Sequence, residues 1–480
     1  MPGSVRRQAR WWPAALPPRS GTGRFTAVST AVGLLAAAGA VAVAGPWDGG
    51  QRTAERVRAA AADRAASVRG VPYGSSRAGP VLAGVSGLST GPAAAGAASL
   101  AAALEPLLAD EALGPRVSAS VVDVATGERL VGANEAAAVT PASTVKLATS
   151  LAALSALGAD HRIETAVTLA SDGIVLVGGG DPTLTARPAA PGREAAGLPA
   201  LADATARALK ALGTGHTALR YDVSRYSGPV PHPIGPNENL APVSALMVDE
   251  GRLDDSDHGP ADRTADPAGD AARKFAALLG ERGVRVEGEP AEGRSPAGAR
   301  RLAAVSSAPL SDLVERALTH SDNDIAEALA RQTALADGQP ASFEGAGRAV
   351  AARLARLGLP TAGAHFADGS GLDRADRVSA DLLARLLARA GDRGSPELRS
   401  VLTGLPVAGF NGTLQGRVAG GRGVVRAKTG TLSGVNALAG TAVTGSGRLL
   451  AFAFLADATS DPEEAPRALD ALAAAVAAAR

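Results

Sequence analysis

The chain has 480 residues, enough for two or more domains and a large core. Lysine and arginine (48) nearly cancel aspartate and glutamate (47) to leave a net charge of +1, so no bulk electrostatic case exists for nucleic acid as a partner. The absence of cysteine excludes disulfides, thiol catalysis and a lipid-modified N-terminal cysteine, and 3% aromatic against 46% hydrophobic residues predicts an aliphatic core.

Residues 1–25 carry Arg6, Arg7, Arg10, Arg19 and Arg24, and the first acid is Asp48. The uncharged stretch 26–45, "TAVSTAVGLLAAAGAVAVAG", has the length that spans a bilayer, with the arginines kept on the cytoplasmic side. It reads as a transmembrane anchor or an export signal, which puts the rest of the chain outside the cytoplasm, anchored or secreted after cleavage. Small residues ending at Gly45 suit cleavage; the length of the apolar run favours a retained anchor. Residues 46–96 read as a linker rich in Ala, Gly, Arg and Ser.

From residue 97 the pattern is globular. "SLAAALEPLLADEAL" predicts a helix, and "RVSASVVDV" with "ERLVGA" a β-hairpin. A helix starts near Pro141, and a second hairpin turns at Asp172-Gly173. Pro-rich loops and helices near 199–212 and 268–283 follow. From about 301 helices dominate, over "LSDLVERALTH", "NDIAEALARQTAL", "GAGRAVAARLARLG" and "SADLLARLLARAG". Three strands, "GVVRAKTGTL", "NALAGTAVT" and "RLLAFAFLA", precede a closing helix. Turn-linked strands at both ends predict one antiparallel sheet assembled from both ends of the domain, with helices between: an α+β fold.

The first stretch that carries chemistry is "TPASTVKLAT" at 140–149. Proline is a start signal in a first helical turn. Ser143 is therefore placed at a helix N-terminus, where free N–H groups and the helix dipole favour negative charge. Lys146 lies one turn on, on the same face. A serine hydroxyl is a weak nucleophile until a base takes its proton, and a lysine does so only when burial or a second cation lowers its pKa. Alone, the pair is equally an ordinary helix start. Further on, "THSDNDIAEAL" sets Ser321-Asp322-Asn323 between two helices. A loop serine can relay a proton to a leaving group, and an asparagine amide can hold a substrate carbonyl and the lysine; the plain alternative is an N-cap. "RAKTGTLSG" then places Lys428-Thr429-Gly430-Thr431 on a strand. Lys428 is the second cation, and Gly430 would let a substrate backbone approach and pair as an added strand, against the plain alternative of a strand end with a glycine turn. The three pieces, in this order and in these contexts, point to one site.

These motifs resemble the signature of the penicillin-binding and serine β-lactamase group. More narrowly, the chain resembles the D-alanyl-D-alanine carboxypeptidase/endopeptidase family of low-molecular-mass, class C penicillin-binding proteins (peptidase family S13). The resemblance rests on "PASTVKL", "GGGDPTL" (178–184), "APVSALMVDEG" (241–251), "SDNDIAEAL", "DGSGL" (368–372), "NGTLQGR" (411–417) and "KTGTLSGVNALAG", and spans 117–455. It implies the penicillin-binding/serine β-lactamase-like transpeptidase fold, an antiparallel sheet flanked by helices. The peptidase domain would be 97–160 with 301–480, and 161–300 an inserted accessory region. Lys146 and Ser321 stand 175 positions apart, short for the family's insertion, which implies one trimmed accessory subdomain.

The resemblance further implies that Ser143 attacks the D-Ala-D-Ala carbonyl with Lys146 as base, while Ser321 and Asn323 serve proton relay and substrate orientation. Lys428 would lower the Lys146 pKa and attract the terminal carboxylate, held by the hydroxyls of Thr429, Thr431 and Ser433. The oxyanion hole would be the N–H groups of Ser143 and Thr431. No cofactor or metal is implied. Asp373 stands where the family pattern has serine, which leaves catalysis untouched and bears on substrate-edge contacts.

The expectation is an extracytoplasmic serine DD-peptidase acting on peptidoglycan stem peptides and acylated by β-lactams. Two rival readings are a serine β-lactamase and a non-catalytic β-lactam sensor or wall-binding module. The class A deacylating glutamate, in an E-x-x-L-N stretch, has no match between the second and third motifs, where only Glu327, Glu344 and Glu397 occur. "DDSDH" (254–258) reads as a solvated turn rather than a metal loop, since the six histidines show no paired ligand spacing. "GGGDP" reads as a structural turn, because no Lys-Ser/Thr follows to make it a phosphate cradle.

Overall fold

The computed structural model describes residues 93–187 and 196–479. The basic segment, the apolar stretch 26–45 and almost all of the expected linker lie outside the described residues. Among the described residues no helix is long and apolar enough to cross a membrane.

Helix α1 (Ala93–Leu108) leads into strands β1 (Arg116–Asp123) and β2 (Arg129–Ala133). Asp123 shapes their turn by accepting from the N–H groups of Ala125 (2.8 Å) and Thr126 (3.1 Å). Then come α2 (Val145–Leu157), β3 (Glu164–Ala170), β4 (Gly173–Val177), α3 (Leu198–Ala211), β5 (Leu219–Asp222) and α4 (Pro267–Glu281). Next are β6 (Arg301–Ser306) and four helices, α5 (Leu310–His320), α6 (Asn323–Ala336), α7 (Phe343–Arg356) and α8 (Ala380–Ala390). The chain ends with β7 (Val425–Leu432), β8 (Val435–Val443), β9 (Leu449–Asp457) and α9 (Glu464–Ala478).

The main sheet runs β7-β8-β9-β1-β2 and is antiparallel throughout, with Val121 opposite Phe452 and Lys428 opposite Ala439. It is the sheet expected from the two ends of the domain. Both faces are covered, so its central strand is apolar from Leu449 to Ala456 and the period of two sorts residues between two cores. Ala451, Ala453 and Leu455 of β9 pack with α2, α5, α6, α7 and α8. Leu450, Phe452, Phe454 and Ala456 pack under α1 and α9. Alanine dominates the strand contacts, and the short side chains let helices lie close to the sheet. The first ten residues of α2, Val145–Leu154, are all buried, so this helix runs through the domain centre rather than along its surface.

The stretch between α2 and α5 builds a second sheet, in the order 291–292, β5, β4, β3, β6, with its own core under α3 and α4. Here β4 pairs with β5 in parallel and β3 with β6 antiparallel. Strand β6 adds a strand at the start of the helix-dominated stretch expected from about 301. Its six residues begin the stretch read as peptidase domain, yet they belong to the second sheet through pairs such as Thr165 with Val305.

Leu151 has no exposed surface at the middle of α2. Leu151→Ala should therefore cost about 2–5 kcal/mol, read as a lower urea midpoint at unchanged slope. A loss below about 1 kcal/mol would contradict the central placement of this helix.

Candidate active site

Ser143 sits in a single 3₁₀ turn, Ala142–Thr144, that feeds α2. Ala142 has φ +48°, a conformation that costs a non-glycine residue energy and persists only when its surroundings enforce it. Two glycines enforce it. A Cβ on Gly371 (φ +86°) would lie 2.1 Å from Ala142 O, and one on Gly430 would lie 2.6 Å from Pro141 O and 3.2 Å from Ala142 Cβ. The Thr144 hydroxyl donates to Pro141 O at 2.7 Å. The space left at Gly430 thus faces the nucleophile turn, a different reason for glycine there than the substrate approach expected from the motif.

Lys146 is wholly buried. Its Nζ has three partners: Ser143 Oγ at 3.0 Å, Asn323 Oδ1 at 2.6 Å and the carbonyl of Ser370 at 2.5 Å. The last two only accept. A neutral amine gives its two hydrogens to them, and its lone pair then points at the one partner that can donate, the Ser143 hydroxyl. Burial pulls the ammonium down to about 8, against the holding effect of Asp368, Asp322, Glu327 and Asp376.

Asp322 makes the N-cap of α6, accepting from Ile325 N at 3.0 Å. That leaves its neighbours free for the site. Ser321 ends α5 in the left-handed region (φ 59°, ψ 38°), and its Oγ accepts from Lys428 Nζ at 2.9 Å. Asn323, the first residue of α6, reaches Lys146 with Oδ1 and donates from Nδ2 to Asn239 O at 2.8 Å. Lys428 is also wholly buried and donates to Thr429 O at 2.7 Å. Burial and the charge of Lys146 hold Lys428 well below the usual lysine range. For Lys146 the lowering comes from burial, not from Lys428 as expected from the motifs.

The five residues Ser143, Lys146, Ser321, Asn323 and Lys428 therefore meet in one place. Ser143, Ser321, Asn323, Thr431, Leu372 and Asn239 line a cleft of about 280 Å³. The outer residues of the third motif divide. Thr431 is on the cleft wall, whereas Thr429 Oγ1 turns to Thr413 Oγ1 at 3.0 Å, and Ser433 is exposed in the β7–β8 turn with its carbonyl held by Arg374.

The support behind Lys146 was missed except as a quoted stretch, "DGSGL". Asp368 accepts from Ser370 N (3.0 Å), Gly371 N (2.6 Å), Ser370 Oγ (3.0 Å) and Asp373 N (2.8 Å), which folds the loop around one carboxylate and aims Ser370 O at the lysine. Asp373, expected at the substrate edge, serves this loop: its N–H binds Asp368 and its Oδ1 accepts from Ala375 N at 2.8 Å. Burial works to raise the Asp368 carboxyl, but the bonds from His232 and Gly371 and the neighbouring Asp376 bring it to about 2. Burial and the Asp368 charge push Asp376 up to about 10. Glu327 is buried, accepts from Gly369 N at 2.8 Å, and is raised by burial and Asp368 to about 6.

Among the described residues, two buried clusters bring metal-ligand types together: His232 with Glu327 and Asp368, and Glu250 with Asp322 and Asp324. In each, arginine already supplies the cation: Arg331 acts on Glu327, Arg252 on Glu250 (2.9 Å) and Arg263 on Asp324 (3.1 Å). In the 254–258 segment, Asp254 Oδ1 accepts from Ser256 N at 3.0 Å, closing a turn.

The model of the D-Ala-D-Ala carboxypeptidase 3 (S13) family matches residues 100–260 and 254–478. A carboxypeptidase of Mycobacterium tuberculosis is 37% identical over 394 residues, covering 78% of this chain and 84% of that protein. A D-alanyl-D-alanine carboxypeptidase of an Actinomadura species is 32% identical, over 75% of this chain and 81% of the relative. Penicillin-binding protein 4 of Haemophilus influenzae superposes with a TM-score of 0.62 at 22% identity, covering 78% of this chain and 97% of that structure. The architecture described above is thus the penicillin-binding-protein fold.

Only the neutral amine of Lys146 can accept the Ser143 proton. Labelling of the protein by a fluorescent penicillin should accordingly rise about tenfold per pH unit below about 8 and level off above it. A rate that stays flat from pH 6 to 9 would remove Lys146 as the base.

Proposed function

Because the chain belongs to the D-Ala-D-Ala carboxypeptidase 3 (S13) family, we propose that it is a serine D-alanyl-D-alanine carboxypeptidase that trims peptidoglycan stem peptides through an acyl-enzyme on Ser143. One observation carries this reading: Lys146 Nζ, bound by Asn323 Oδ1 and Ser370 O, presents its remaining site to Ser143 Oγ at 3.0 Å. This is an assembled nucleophile and base, which a non-catalytic wall-binding module has no need to maintain.

In the proposed reaction Ser143 Oγ attacks the carbonyl between the two D-alanines as its proton passes to Lys146. The N–H groups of Ser143 and Thr431 receive the developing oxyanion. Asn323 orients the substrate amide, and Ser321 relays a proton to the departing D-alanine nitrogen. Lys428 attracts the terminal carboxylate, with the Thr431 hydroxyl nearest to the cleft and Thr429 and Ser433 further along the β7 edge. Water then releases the acyl group. The substrate lies outside the cytoplasmic membrane, and in this reading residues 26–45 carry the chain there, as an anchor or as a cleaved signal.

Slow release of a β-lactam follows from what surrounds the cleft. Of the three glutamates between the second and third motifs, Glu327 is buried on Gly369 N, Glu344 pairs with Arg348 at the surface, and Glu397 is exposed. The cleft acids Asp322 and Asp324 are taken by the α6 cap and Arg263. None of the three glutamates lines the cleft, and neither cleft acid is free to aim a water at the acyl bond.

Ser143→Ala should abolish penicillin labelling and release of D-alanine from a D-Ala-D-Ala peptide while leaving the fold intact. Labelling of the folded mutant would sink the assignment of the nucleophile. Intact-protein mass spectrometry should show one penicillin mass persisting for many minutes after excess drug is removed. Rapid loss of that mass with many turnovers per enzyme would make the protein a β-lactamase instead.

A further inference from the structure

His232 lies on the long connection between β5 and α4, outside every element that carries a catalytic motif. Its side chain is almost fully buried, at 2% exposure. Nε2 meets Asp368 Oδ2 at 3.0 Å. Nδ1 accepts from Ile234 N at 3.3 Å, which leaves the proton on Nε2 and makes Nε2 the donor to the carboxylate. The ring stands edge-on to Phe343, with centroids 5.1 Å apart and planes at 89°, so its direction is set by packing as well. Asp368 is the residue around which the 368–373 loop folds, and that loop does two things for the nucleophile. Ser370 O holds Lys146 Nζ at 2.5 Å, and Gly371 abuts the carbonyl of Ala142 beside Ser143.

We propose that His232 is a positioning residue for acylation, acting from the inserted segment through Asp368 to fix the Ser370 carbonyl, and with it Lys146. The proposal rests on the reading of Lys146 as the base. Four backbone and hydroxyl donors from within the loop bind the two oxygens of Asp368. The imidazole is the donor that arrives from outside and ties the carboxylate to a second part of the protein. Without it the loop keeps its shape and its hold at Gly369, through Glu327 (2.8 Å) and the Thr149 hydroxyl (2.8 Å), but the carboxylate beside Ser370 loses its tie to the inserted segment and can tilt about that hold. A shift of a few tenths of an ångström at Ser370 O is passed directly to a lysine that has no solvent to turn to. The inserted segment is on this account part of the catalytic apparatus, not only a surface on which substrate is selected.

The test compares His232→Leu, which keeps bulk and removes the donor, with His232→Gln, whose amide nitrogen reaches the position of Nε2. Single-turnover acylation is followed over a range of fluorescent penicillin concentrations, which separates the limiting rate from the half-saturating concentration, and thermal melts are recorded for each protein. The Leu variant should lose about 10- to 100-fold in limiting rate with the half-saturating concentration changed less than about threefold, and the Gln variant should regain most of the rate. Wild-type rates in the Leu variant, or equal losses in the Leu and Gln variants, would overturn the proposal. If the Leu variant fails to give a cooperative melt, His232→Asn, too short to reach Asp368, takes its place in the same comparison. Lys146→Arg is run alongside: normal acylation by that variant refutes the base itself, whereas an inert Lys146→Arg with a fully active His232→Leu refutes only the positioning role.

Discussion

A lysine without solvent is the constraint on which the site is built. Removing an ammonium from water costs several kcal/mol unless partners replace its hydration, and Lys146 has three such partners, drawn from three separated stretches of chain. The same burial lowers its pKa to about 8, as the proposed role of base near neutrality requires. Nearby acids limit the fall, so the amine neither stays fully charged nor loses its proton too early. Burial, opposed by these neighbouring acids, sets the pKa of Lys146, and burial together with the Lys146 charge sets that of Lys428.

Much of the remaining architecture serves to make that burial possible. Helix α2 is surrounded on all sides, by the sheet on one face and by α5, α6, α7 and α8 elsewhere, which puts its first turn at the bottom of a cleft rather than on a surface. Alanine-rich strands let these layers approach. Backbone strain is concentrated where chemistry is placed: Ala142 before the nucleophile and Ser321 at the end of α5 both have positive φ. The surroundings that hold them are also visible, in the glycine contacts of Gly371 and Gly430 and in the Ser321 to Lys428 bond.

The stretch between α2 and α5 does more than lengthen the chain. Besides His232, it sends Asn239 to hold the Asn323 amide, and Ala241 N to Asp324 (3.0 Å). Glu250 binds Arg316 of α5, and Arg263 pairs with Asp324 of α6. The break between α5 and α6, where the second motif stands, is therefore braced by residues more than fifty positions earlier in the chain. Glu250 itself has φ +56°, and burial raises its carboxyl well above the usual range, next to Asp322. Strain and charge are paid for here by the fixed geometry of Ser321 and Asn323.

What the sequence determined by itself was local or periodic. Strand alternation, helix starts at proline and capping residues, and the hairpin turns are set by interactions within a few residues, so the helices of the second half and the strands at both ends were legible, as were Ser143, Lys146, Ser321, Asn323 and Lys428. Tertiary structure alone decided the rest. Strand β6 is a strand because β3 offers it an edge, and six residues with a mixed pattern do not announce that. Thr429 binds Thr413 rather than facing the cleft, because a loop sixteen residues earlier packs beside β7. The Ser370 carbonyl leaves no mark in residue type, since every residue has one. His232 and Asp368 are 136 positions apart, and nothing in either neighbourhood reports that folding closes the distance to 3.0 Å. Sequence carries chemistry that lies in side-chain identity and short spacing; the pKa of Lys146 and the aim of its lone pair depend on burial and long-range contact, which exist only in the folded chain.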